Sequence, residues 1–127
     1  MLILTTFDEV KTLTLPPAIN HALQAELLAP FEGDETALME FWQDSGSVVY
    51  VMTDDDGPNV INEQDTIANL RLTMAVDFPE YVMKFTAEDD AYYLALTIIN
   101  DEGAGCYLLI NANHASDIPT KLQAHLL

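Results

Sequence analysis

Apolar residues in the first third of the chain recur at the spacing of a helix face. Pro16 and Pro17 suit the first turn of a helix, because their φ is fixed and a first turn needs no backbone donor. Behind them, aliphatic residues follow one another four positions apart: Ile19, Leu23 and Leu27. The pattern predicts a helix that begins at the proline pair and stops before Pro30.

A second helix is predicted directly after the first. Asp34 offers a side-chain oxygen to the free amide groups of a first turn, and Glu35 is favourable at the positive end of the helix dipole. The apolar stripe of this helix consists of Leu38, Phe41 and Trp42. Gly46 is expected to end it, since glycine adopts the left-handed conformation that follows many helices.

From residue 47 onward the apolar pattern changes from helical to strand-like. Residues 48–52 are apolar on both faces, which predicts an interior strand. Residues 70–78 alternate between large apolar and polar side chains, and this is the clearest strand pattern in the chain. Three further strands with two hairpin connections are predicted after it: residues 81–86, 92–99 and 106–110.

The two ends of the chain and one central segment carry shorter patterns. Residues 2–6 predict an edge strand, although a run this short is also compatible with a helix. Near the other end, Ser116 or Asp117 can cap a closing helix that has Pro119 in its first turn. Its apolar face would consist of Ile118, Leu122 and Leu126. Residues 57–68 are ambiguous between a short helix and a loop.

Together these elements predict an α+β fold with two N-terminal helices, four or five strands and one C-terminal helix. A helix with one apolar stripe must cover one face of a sheet, so we expect a two-layer sandwich. The sheet is predicted to be mainly antiparallel, a meander whose strands pair in sequence order. With 127 residues, 50% of them hydrophobic, the chain suffices for one core, which predicts a single domain over residues 1–127.

The charge balance departs furthest from that of an ordinary domain. The chain has 21 acidic residues and a formal net charge of −17, and its basic residues are Lys11, Arg71, Lys84 and Lys121. No lysine or arginine lies between the first two of these. The resulting field repels nucleic acid and anionic membrane surfaces, which argues against direct binding of either and favours a basic protein as partner.

Much of the acidity falls in predicted connections between strands. Alternate connections of a meander lie at the same end of the sheet, so two acidic triplets are expected to meet there. We predict that these six residues form a partner-binding site: Asp54, Asp55, Asp56, Glu88, Asp89 and Asp90. The opposite end of the sheet would carry a second acidic group, made up of Asp44, Asp77, Glu80, Asp101 and Glu102.

The cysteine content and the apolar runs predict a cytoplasmic protein that does not enter a membrane. Cys106 is the single cysteine, so no internal disulfide can form. The apolar run at residues 1–4 is too short for a signal peptide and is followed by acidic residues. No stretch approaches the roughly 20 apolar residues of a membrane-spanning helix.

No motif predicts a catalytic residue, a metal site or a cofactor. An EF-hand loop that placed its glycine at Gly57 would have Met52 as its first ligand, which is not an oxygen donor. The histidines have no ligand or catalytic spacing: His21, His114 and His125. Of these, His114 is the most interesting because it follows the last strand, and Cys106 is expected to be a buried, inert thiol. The chain also lacks a nucleophile elbow, a P-loop and a dinucleotide fingerprint.

Three hypotheses of function follow. The first is a non-enzymatic binding protein of the inhibitor, immunity or DNA-mimic type, whose carboxylates meet a basic or nucleic-acid-binding protein. The second is a small ligand-binding domain or enzyme with a pocket between sheet and helices. The third is adaptation of charge to salt or solubility without a partner. The oligomeric state stays open, because either a homodimer or the closing helix could cover the sheet face that carries Tyr93, Ala95, Thr97 and Ile99.

Overall fold

The computed structural model of the protein describes residues 2–52, 81–87, 89–99, 101–117 and 123–124. The described elements follow in this order: β1 (Leu2–Leu4), α1 (Phe7–Lys11), α2 (Pro17–Leu28), a 3-10 helix (Ala29–Phe31), α3 (Glu35–Ser45), β2 (Val48–Val51), β3 (Tyr81–Ala87), β4 (Asp90–Ile98), β5 (Gly105–Asn111) and a second 3-10 helix (Ala112–Asp117). The fold is therefore α+β, as predicted. The strand predicted at 70–78 and the ambiguous segment 57–68 lie outside the described residues.

The five described strands form one mixed sheet in the order β1-β2-β5-β4-β3. Three neighbouring pairs are antiparallel, whereas β2 and β5 are parallel, with Val48 opposite Cys106 and Val51 opposite Leu109. The predicted meander is wrong at this point, because β2 pairs with β5, the last described strand along the chain and the central strand of the sheet. Both strands are apolar on both faces, and the centre of a sheet is where such strands bury most apolar surface.

The helices also differ from the predicted arrangement. The two predicted N-terminal helices are α2 and α3, and α3 has the predicted ends: Asp34 Oδ1 accepts hydrogen bonds from two amide groups of the first turn, and Gly46 has a φ of 76°. An additional short helix, α1, precedes them. Ser116 and Asp117, the predicted caps of the closing helix, belong to the 3-10 helix that directly follows β5. The predicted apolar face of that helix lies outside the described residues: Ile118, Leu122 and Leu126.

The core lies between the helices and one face of the sheet. Val49, Leu94 and Leu109 point toward the helices and are fully buried. They meet apolar side chains from all three helices: Phe7, Val10, Ile19, Leu23, Leu27, Leu38 and Trp42. The opposite face is buried as well, since Tyr50 and Leu108 are 1% and 0% exposed. Both faces are therefore buried at the centre of the sheet.

The sheet face that a homodimer was considered to cover is buried within the chain itself. Tyr93, Ala95 and Thr97 are all buried, and Ile99 is half-buried. No second copy is needed to remove these side chains from water.

A buried hydroxyl joins the end of α3 to the start of two strands. Ser47 Oγ accepts a hydrogen bond of 2.9 Å from the backbone N–H of Gly105, at the start of β5. Ser47 Oγ also lies 2.9 Å from Ser45 Oγ, which donates to the backbone oxygen of Phe41 at 2.7 Å. When Ser47 Oγ donates to Ser45 Oγ, each of the two hydroxyl groups donates one hydrogen bond and accepts one. The segment Ser45-Gly46-Ser47 thus has a structural role.

We expect Ser47→Ala to lower the free energy of unfolding by about 1–3 kcal/mol, because it leaves the buried N–H of Gly105 without its acceptor. Urea denaturation of the variant and the unmodified protein would measure the difference. Thr36→Ala in the first turn of α3 is the matched control, since the Thr36 side chain is exposed and the expected change is within about 0.5 kcal/mol. Equal midpoints for S47A and T36A would contradict a structural role for the Ser47 hydroxyl.

Candidate functional site

Two of the six predicted partner-binding residues lie in the described part of the chain. Asp89 is an exposed turn residue between β3 and β4, and Asp90 is the half-buried first residue of β4, opposite Ala87. The other four lie outside the described residues: Asp54, Asp55, Asp56 and Glu88.

The end of β2 and the β3–β4 connection lie at the same end of the sheet. β2, β5 and β3 run in one direction, because β2 is parallel to β5 and both β5 and β3 are antiparallel to β4. Val51, Ala87 and Asn111 therefore end their strands at one edge, which we call the β3–β4 end. Since β5 separates β2 from β4, adjacent-strand spacing places those two strands about 10 Å apart.

The opposite edge, where β2 and β5 begin, is called the β4–β5 end. Asp44 lies in the last turn of α3, which leads into β2, and Asp101 lies in the β4–β5 turn. Both residues are exposed, as is Glu102 beside them. The remaining residues predicted for this end, Asp77 and Glu80, lie outside the described residues.

The helical layer carries most of the described charge. Residues 2–52 contain eight carboxylates and one lysine, Lys11. Lys11 Nζ lies 2.6 Å from Glu35 Oε2 and 3.9 Å from Asp8 Oδ1, and the hydrogen bond to Glu35 raises the pKa of the lysine. Six of the eight acidic residues are exposed: Asp8, Glu32, Asp34, Glu35, Glu40 and Asp44. One cation cannot compensate them, so this surface is strongly negative.

A cavity of about 450 Å³ opens on the helix side of the sheet at the β3–β4 end. Its described lining residues come from β1, α1, the segment after α1, and the ends of β2, β4 and β5: Leu2, Leu4, Glu9, Thr12, Leu13, Thr14, Leu15, Val51, Met52, Tyr92 and Asn111. The lining is therefore part apolar and part polar. Its volume falls within the range of small-molecule sites.

Glu9 is the one charged side chain among these described lining residues. Thr6 caps α1, and its hydroxyl accepts from the backbone N–H of Glu9, while the Glu9 carboxylate binds back to the threonines. Glu9 Oε1 accepts from the backbone N–H groups of Thr5 and Thr6, both at 3.2 Å, and from both hydroxyls at 3.3 and 3.0 Å. These bonds, the one from the Thr5 backbone first, lower the pKa of Glu9. The carboxylate of this lining residue is thus held in place by Thr5 and Thr6.

Cys106 and His114, which the sequence also singled out, are not among the described residues that line this cavity. Cys106 is buried in β5, as predicted. His114 is half-buried in the second 3-10 helix and is not among the described residues that line the cavity. Within the described ranges, no group of three or more His, Cys, Asp or Glu side chains is placed to hold a metal ion.

The sequence suggested a pocket between sheet and helices as one alternative, but it did not predict the position of this cavity or the part that Glu9 plays in it. Thr6 followed three residues later by Glu9 is the pattern of a capping box, which predicts the start of a helix. That signal would have found α1. The cavity itself depends on how the segment after α1 lies against the end of the sheet, which the local sequence does not encode.

Comparison with known proteins adds no relative. The chain matches no protein-family model, no curated protein and no solved structure. Among the described helices, none has the length and apolar content needed to cross a membrane.

Proposed function

We propose that the protein is a non-enzymatic binding protein that presents a carboxylate-rich surface to a basic protein, in the manner of an inhibitor, an immunity protein or a DNA mimic. The observation that supports this best is the uncompensated charge of the helical layer, where six acidic residues are exposed and Lys11 is the only lysine or arginine of residues 2–52. Such a field speeds the encounter with a cationic partner and gives binding that weakens with salt.

The β3–β4 end is the proposed docking position. Asp89 and Asp90 stand at the start of β4, and β2 ends at the same edge, directly before the segment that contains Asp54, Asp55 and Asp56. A partner that meets both segments would face the two acidic triplets together. Rim charges of this kind act mainly on the association rate.

We expect the tagged protein to retain a basic or nucleic-acid-binding protein from host lysate at low salt and to release it at high salt, because screening shortens the range of the attraction. Mass spectrometry would identify the retained proteins. Retention should fall for Asp89→Asn with Asp90→Asn, since two charges are removed from the proposed docking position.

The matched control removes the same charge at the other end of the sheet, with Asp44→Asn and Asp101→Asn. Both of these residues are exposed. Equal losses in the two double variants would contradict the assignment to the β3–β4 end. If the unmodified protein retains no basic protein at low salt, the proposed function itself is wrong.

A second candidate function, the binding of a small ligand, is favoured by the cavity of about 450 Å³. This candidate is the predicted alternative of a ligand-binding pocket between sheet and helices. The absence of His114 from the described lining gives no support to a histidine-based reaction there. A binding site is therefore the better interpretation of this cavity than an active site.

A further inference from the structure

The lining of the cavity at the β3–β4 end combines aliphatic, polar and negatively charged residues. Leu4, Leu13, Leu15 and Val51 supply aliphatic surface, and Glu9 supplies the negative charge. Thr12, Thr14, Tyr92 and Asn111 add hydroxyl and amide groups. No lysine, arginine or histidine is among the described lining residues.

The two oxygens of the Glu9 carboxylate differ in their hydrogen bonds. All the hydrogen bonds that the described residues make to this carboxylate end on Oε1. Thr5 and Thr6 thus hold the group in place without using Oε2. Because the same bonds lower its pKa, the group stays ionised through the neutral range.

We propose that this cavity binds a primary aliphatic amine, with the ammonium group on Glu9 Oε2 and the alkyl chain against the leucine and valine side chains. An ammonium group has three donors, so hydroxyl oxygens of the lining can accept the two that Glu9 does not. An anionic ligand would meet this carboxylate, and no described lining residue would supply a compensating cation. A neutral alcohol would gain the apolar contact alone.

This proposal rests on the second candidate function and is independent of the acidic docking surface. Failure of amine binding would leave the pull-down result unchanged, and loss of the protein partner would leave the cavity unchanged. The two proposals can therefore be judged separately.

Hexylamine is a suitable probe, with 1-hexanol and hexanoate as ligands of matched chain length. A titration followed by amide chemical shifts in two-dimensional NMR would give both affinity and location. We expect hexylamine to shift the amides of lining residues such as Thr12, Leu15 and Asn111. It should bind about tenfold more tightly than 1-hexanol, and hexanoate should not bind, because the charge-assisted hydrogen bond is available to the amine alone.

Glu9→Gln is the informative variant, because glutamine can also close a capping box and so keeps α1 in place while the charge is removed. We expect the affinity for hexylamine to fall about tenfold in this variant, with the weak binding of 1-hexanol unchanged. Asp8→Asn is the matched control: it removes the same charge from the neighbouring residue, whose side chain is 93% exposed and does not line the cavity. Its affinity for hexylamine should stay within about twofold of the unmodified value.

Three results would overturn the proposal. One is the absence of any shift at the lining residues. Another is binding of the amine only as a counterion, shown by an equal loss of affinity in E9Q and D8N or by shifts spread over the whole acidic surface. The third is equal affinity for hexylamine and 1-hexanol, which would mean that Glu9 does not take part.

Discussion

Replacing Trp42 with alanine is expected to lower the free energy of unfolding by about 3–5 kcal/mol, the largest effect of any substitution considered for this protein. Trp42 is 2% exposed and belongs to the cluster of side chains between the helices and the sheet. Its ring centre lies 6.0 Å from that of Tyr107 in β5, at an angle of 35°. Removal of the indole therefore deletes apolar contact on both layers and leaves a cavity that the surrounding helices cannot fully close.

Phe41→Ala is the matched control for this prediction. Phe41 is the preceding residue of α3, but it is 38% exposed, and its ring centre lies 5.6 Å from that of Phe31. We expect it to cost about 1 kcal/mol. Urea denaturation of both variants would measure the difference. A W42A midpoint as high as that of F41A would show that the contact of α3 with the sheet does not support the fold.

The same helix shows how much local structure could be predicted from the sequence. Asp34, Leu38, Trp42 and Gly46 have the cap, core and end positions that their residue types and spacing indicate. These features depend on neighbours within one or two turns, which the sequence displays directly. Phe41 was placed on the same apolar stripe, but it lies at the margin of that stripe and is partly exposed.

The order of the strands could not be predicted in the same way. Residues 48–52 were correctly predicted as an interior strand, but their partner, β5, begins more than fifty residues further along the chain. The alternation of hydrophobic and polar residues indicates which faces of a strand are buried, but it does not indicate which strand lies beside it. The rule that neighbouring strands pair in sequence order holds for β3, β4 and β5, and it fails where β5 lies between β2 and β4.

The candidate site was the least predictable part. Net charge is visible in the sequence. However, 21 carboxylates can form many different acidic surfaces, and the composition does not indicate which of them binds a partner. The acidic triplets remain a prediction for the same reason. Glu9 illustrates the opposite case: a single carboxylate becomes distinctive only when Thr5 and Thr6 orient it beside an open cavity.

Gly105→Ala is expected to have the second-largest effect, a loss of about 3 kcal/mol, near the upper end of the usual cost of overpacking. A β carbon on Gly105 would lie 2.5 Å from Cε2 and 2.8 Å from Cζ of the Tyr107 ring, well inside van der Waals contact. The ring cannot easily move away, because it packs against Trp42 on the helix side of the sheet. Burial of this ring, together with the charge of Glu26, also raises the pKa of the Tyr107 hydroxyl.

A double-mutant cycle with Tyr107→Ala separates this clash from any effect of the backbone. Gly105 does not have a positive φ, so alanine fits its backbone without strain and would by itself favour a strand by about 0.5–1 kcal/mol. In the Y107A background we therefore expect Gly105→Ala to be neutral or stabilising, measured by urea denaturation of all four proteins. A cost of about 3 kcal/mol that persists without the ring would contradict the clash, because the two substitutions would then be additive. The expected non-additivity would establish that Tyr107 occupies the space that a side chain at position 105 would need, and that β5 begins with glycine for this reason.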